Sequence, residues 1–117
     1  MNAKEYLSNM MHQSIDEVKT TILEKQYHMQ FPEIIKHMIS CNNEPIFFDD
    51  KRVLSFGEMK NAEEELHVAF SKRGIFPVID CGENDFIVYY FSKNNWMMFN
   101  IVDEVSFKQC EKLEELL

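Results

Sequence analysis

Glycine, proline and cysteine are scarce in this chain, with three of each among 117 residues. So little Gly and Pro, with no low-complexity tract and no repeat period of roughly 20 to 50 residues, excludes a flexible linker and a solenoid array. Cys41, Cys81 and Cys110 are odd in number, far apart and without a Cys-x-x-Cys pair, which excludes a disulfide framework and a zinc ribbon. Free thiols of this kind fit a reducing compartment. Positive charge is short as well: 12 Lys and Arg stand against 20 Asp and Glu, for a formal net charge of −8. Nucleic acid is therefore not an expected partner, because affinity for a phosphate backbone depends on cations that neutralise it. No apolar run approaches the ~18 residues of a membrane span, and Lys4 and Glu5 interrupt the place where a signal peptide needs an apolar core. The expectation is a soluble cytoplasmic protein with no membrane partner.

Catalytic signatures are missing too. There is no Gly-rich phosphate loop, no Gly-x-Ser-x-Gly elbow, no His-Glu-x-x-His, and no pair of histidines four residues apart. His12, His28, His37 and His67 fall in different predicted elements, so they suggest no metal site. Cys81 beside Gly82 is the best placed thiol, yet a small residue at a strand end explains it without nucleophilic chemistry. No catalytic residue, metal or cofactor is expected.

What the chain does have is apolar mass: 45% of it is hydrophobic and 13% aromatic, enough to fill the core of one domain spanning 1–117. The densest stretch runs from Ile75 to Val102, rich in Val, Ile, Phe and Tyr and punctuated by Gly, Asn, Asp and Ser. It predicts a three-stranded antiparallel meander. Helix-period patterns lie on either side. They predict a short helix from Ala3 to Met11 and a second one, capped by Ser14 with Glu17, running to about Lys25 with Ile15, Val18, Ile22 and Leu23 inward. A third starts at Pro32 and stops near Cys41, with Ile34, Ile35, Met38 and Ile39 buried.

Ile46 to Phe48 predicts a strand, and Asp49 to Arg52 a polar turn into Val53 and Leu54. Gly57 to Arg73 predicts one helix ended by Gly74, with Glu63, Glu64 and Glu65 on its solvated face. Ser106 with Gln109 predicts a closing helix using Phe107, Cys110, Leu113 and Leu117. Grouped strands and helices in blocks make an α+β fold: an antiparallel sheet with a C-terminal meander, packed against N-terminal, middle and C-terminal helices.

Within the meander, a turn over Ser92–Asn95 would oppose Phe91 to Trp96 and Phe86 to Ile101, and a turn over Cys81–Asn84 would oppose Asp80 to Asp85. Asp80, Glu83, Asp85, Asp103 and Glu104 then gather at one end of the sheet, where like charges repel. Such a cluster is a solvated turn region, a surface for a basic protein, or the carboxylates of a metal or small-molecule site. The register makes both faces apolar, so helices on both sides are expected, with part of the Trp96 face available as a contact patch. Pro77 lacks a ladder donor, which predicts an edge strand.

The order of these motifs resembles the SUKH superfamily, which includes yeast cell-wall-assembly regulators and bacterial immunity proteins. FPEIIKHMISCNN is similar to its Leu-Pro-acidic helix and Asn-Gly turn, LSFGEM to the strand before its middle helix, FPVIDCGENDFIVYYF and WMMFNIVDE to its signature strands, and SFKQCEKLEELL to its closing helix. Asn43 and Glu44 replace the usual glycines, and Asn84-Asp85 the usual Gly-Asp. The resemblance implies a non-catalytic domain that binds another protein, most often a polymorphic toxin. A basic nuclease toxin would suit the acidic charge, and Asp80, Glu83, Asp85, Trp96, Asp103 and Glu104 are the candidate contacts. A small-molecule or metal-binding domain and a regulatory scaffold are the alternatives.

Overall fold

Asn2 starts the first helix, α1 (Ala3–Met11), by accepting a 2.9 Å hydrogen bond from the Glu5 amide on its side-chain oxygen. Tyr6 and Met10, four residues apart, form its buried stripe. The second helix, α2 (Glu17–Tyr27), is capped by Asp16 and not by Ser14: the Asp16 carboxylate accepts from the amides of Val18 and Lys19, both at 3.1 Å. Its buried residues are Thr20, Leu23 and Tyr27, while Val18 and Ile22 face solvent. Both stripes fit a helical period, and tertiary packing selects between them. Tyr27 donates to the Met59 carbonyl at 2.7 Å and packs edge-on against Phe76 at 4.8 Å, so the helix turns that side inward.

Helix α3 (Glu33–Cys41) follows Pro32 and buries Ile35, Met38 and Ile39, as its spacing predicts. Asn42 closes it and is wholly buried. Its side-chain nitrogen donates to the Tyr6 hydroxyl at 3.2 Å and the Leu54 carbonyl at 3.3 Å, while its backbone carbonyl accepts from the Phe56 amide at 2.7 Å. One satisfied polar side chain thus ties α1, α3 and the entry to the middle helix together.

The computed structural model describes residues 1–117, and the strands form one antiparallel six-stranded sheet in simple chain order. Strands β1 (Ile46–Phe48) and β2 (Lys51–Val53) make a hairpin whose turn, Asp49–Asp50, has φ of 49° and 60°. Positive φ at both turn residues matches the twist of the flanking strands. Ser55 then caps α4 (Phe56–Leu66) through a reciprocal pair: its hydroxyl accepts from the Glu58 amide, and the Glu58 carboxylate accepts from the Ser55 amide.

The predicted single helix to Arg73 is broken. His67 turns left-handed at φ 57°, and a separate short helix, α5 (Phe70–Arg73), ends at Gly74 with φ 69°. The break lets Val68 and Phe70 both enter the core. Glu63 is not purely solvated either: its carboxylate accepts 3.0 Å bonds from the Ser71 amide and hydroxyl and so holds the two helices in sequence.

Strands β3 (Ile75–Asp80), β4 (Asp85–Tyr90) and β5 (Asn95–Asn100) are the predicted meander. Phe86 faces Phe99 and Tyr89 faces Trp96, a slide of two residues from the expected pairing. Phe91–Lys93 winds into a 3-10 turn closed by Asn94 at φ 51°, which moves the loop back by one residue. A slide of two keeps every side chain on its expected face. Phe99 meets Phe70 of α5 on one face, and Tyr27 of α2 with Phe31 of the loop after it meets Phe76 on the other, so both faces are packed. Trp96 is 4% exposed and packs edge-on against Tyr89, so Trp96 itself is interior, while Phe91 of the same predicted face remains 39% exposed.

Two expectations fail in the sheet. β3 pairs on both sides, so Pro77 does not mark an edge; the short β2 reaches only Val53 opposite Ile79, and the β3–β4 register shifts between Pro77 and Ile79. The missing amide is accommodated at that irregularity. The closing helix is instead a strand, β6 (Val105–Cys110), followed by a 3-10 turn over Leu113–Leu116 that buries Leu113. β5 would otherwise expose a row of unpaired backbone groups, and pairing with β6 satisfies more of them than an isolated helical turn could.

Candidate functional site

Three turns converge at the Asp80 end of the sheet: Asp49–Asp50, Cys81–Asn84 and Ile101–Glu104. The predicted carboxylates are all there, yet they do not act alike. Asp80 accepts from the Arg52 guanidinium at 3.1 Å and from the Gly82 amide at 2.9 Å. Arg52 also bridges Glu58 at 2.9 Å, so Asp80 belongs to an internal three-residue network. It is not opposed to Asp85, because the register shift places it against Phe86. The predicted like-charge pair is thereby avoided.

Asp85 accepts from the Asn100 amide at 2.9 Å, and the same Asn100 takes the Val102 and Asp103 amides on its oxygen at 3.0 and 2.9 Å. Asn100 therefore shapes the last turn and occupies one carboxylate. Glu104 pairs with Arg73 at 2.9 Å. What remains are Glu83 and Asp103, both exposed and outside every ion pair of the chain. Asp49 and Asp50 join them, equally exposed and equally unpaired.

The free acidic surface is thus Asp49, Asp50, Glu83 and Asp103. In the sequence Asp49 and Asp50 form a polar turn with nothing local to assign them to the site. Their turn chemistry was legible, but the pairing of β2 with β3 that carries the turn to this end is a long-range contact with no local signal. The role of Arg52 is hidden in the sequence for the same reason.

Beside these turns lies a cleft of about 410 Å³, lined by Asp49, Asp50, Lys51, Cys81, Met98, Lys108, Glu115 and Leu116. Burial pushes the Cys81 thiol above its ordinary pKa, which the nearby Lys51 opposes without reversing. A raised thiol pKa keeps the sulfur protonated and weakly nucleophilic at neutral pH. No three His, Cys, Asp or Glu side chains are grouped to hold a metal ion. No helix is long and apolar enough to cross a membrane. Comparison with protein-family models, with curated proteins and with solved structures returns no match.

Proposed function

We propose that this chain is a non-catalytic protein-binding module of the SUKH type: an immunity protein that neutralises a bacterial toxin by docking its acidic sheet end against a basic surface. The observation that carries the reading is the set Asp49, Asp50, Glu83 and Asp103, presented by three separate turns on a rigid sheet with no cation of the chain paired to them. The net charge of −8 extends the same field. Acidic surfaces of this kind raise encounter rates with basic partners and lose that advantage as salt screens them. A nuclease, with a cationic substrate groove, is the toxin class whose chemistry fits best.

The test takes as partner a basic protein that co-purifies with this chain from its native cell, and recovery of none counts against the reading. Asp49→Asn, Asp50→Asn, Glu83→Gln and Asp103→Asn together should lower the association rate by roughly tenfold at low salt and flatten its salt dependence. Asparagine tolerates the left-handed backbone of Asp49 and Asp50, so the turn survives. Unchanged rate and salt slope would overturn the reading. The 410 Å³ cleft supports a second reading, a small-molecule site, for which a ligand-specific rise in melting temperature across a metabolite and metal panel is the discriminating result.

A further inference from the structure

β6 carries an irregularity with a chemical consequence. Phe107 pairs with Met98 and Cys110 with Trp96, so the register shifts between them, and Lys108 takes a left-handed φ of 52°. A bulge of this kind re-aims side chains. Lys108 lines the cleft beside Asp49 and Asp50, while Ser106 and Gln109, three residues apart, both line a second cleft. Strict alternation would have sent those two to opposite faces.

The second cleft has a volume of about 230 Å³ and a floor of buried Ile75, Met97 and Phe99. Its rim holds two cations, Arg73 and Lys93, with the Tyr90 and Ser106 hydroxyls. Arg73 lies over the Phe99 ring at 5.6 Å and is already matched by Glu104 at 2.9 Å. Lys93 takes part in none of the chain's three ion pairs. An apolar floor under a few polar groups is the composition of a small-ligand site, and this volume falls below that needed for a drug-sized molecule.

We propose that this cleft binds a small monocarboxylate with a compact apolar body. The body rests on Met97 and Phe99; the carboxylate meets the Lys93 ammonium, with Tyr90 and Ser106 as hydroxyl donors. One uncompensated cation matches one negative charge, and the Glu104 carboxylate on the rim disfavours a dianion. The site shares no residue with the free acidic surface and does not depend on a protein partner.

Benzoate is the probe, titrated into the ¹⁵N-labelled full chain and followed by amide chemical shifts. The expected result is saturable shifts centred on Tyr90, Ser106 and Gln109, with benzamide, its uncharged analogue, leaving them unmoved. Lys93→Gln, at an exposed turn, should weaken benzoate roughly tenfold by removing a charged hydrogen bond. Glu104→Gln, which releases Arg73, should tighten it. Shifts that do not saturate, equal shifts with benzamide, or unchanged affinity in Lys93→Gln overturn the proposal, and the spectra themselves report that each variant is folded.

Discussion

The central strands β3, β4 and β5 and the edge strand β6 are each six residues long and belong to one sheet, but their burial is opposite. Five of the six residues of β3 are buried, whereas none of β6 is. The centre is made by its own apolar composition, packed on two faces; the edge is made by what it completes. Strand formation therefore has two causes in this molecule, and they predict different costs of damage. Phe76 is fully buried and touches both Tyr27 and Phe31 through their rings. Phe76→Ala should cost about 3–5 kcal/mol, lost packing plus a cavity between sheet and helices. Urea unfolding measures it; a loss under about 1 kcal/mol would mean that the helices do not depend on the central strands.

The same distinction explains what could be read in advance. Ile75–Asp80 and Asp85–Tyr90 announce themselves because nearly every residue is apolar, and α1 and α3 because their stripes have only one good phase. β6 reads VSFKQC, a pattern that a helix with Ser106 as cap accommodates equally well, so only the proximity of β5 decides. The break at His67 and the choice of Asp16 over Ser14 are likewise settled by packing. At the candidate site the clustering of acids at one end followed from the meander. Which of them are spent did not: Arg52 reaches Asp80 from a different hairpin, and Arg73 reaches Glu104 from a helix. Both ion pairs join residues far apart in sequence.

Alkaline pH offers a milder way to break the centre without mutation. Burial raises the pKa of Tyr27, with Glu63 adding to the effect, and burial also raises that of Tyr6. In the unfolded chain both phenols ionise near their ordinary value of about 10. The folded state thus holds the proton after the unfolded state has released it, and stability declines as pH rises above about 10. Below that value both states are protonated and these two groups confer no pH dependence. Urea midpoints should fall gently once the unfolded Cys41 and Cys81 thiols ionise above about pH 8.5, and more steeply above about 10. The phenolate absorbance owed to Tyr6 and Tyr27, taken as the difference between wild type and each Phe variant, should appear only as the protein unfolds. A wild-type absorbance that exceeds that of Tyr27→Phe or Tyr6→Phe at about pH 10, while the protein is still folded, would show that these two tyrosines titrate freely and overturn the prediction.

The smallest effect is expected at the edge, where it decides most about β6. Phe107 is 38% exposed and sits opposite Met98, itself only half-buried. A cross-strand pair of this sort contributes about 0.2–1 kcal/mol, so Phe107→Ser should shift stability by no more than about 1 kcal/mol and leave the central strands' amide protection unchanged. The amides of β6 itself should exchange faster than those of β4 even in the unaltered protein, since the edge can open without exposing the core. A loss above about 2 kcal/mol would mean that β6 is folded as one cooperative unit with the centre. In that case Leu113, buried just beyond it, anchors the strand more firmly than the exposure of its own side chains implies.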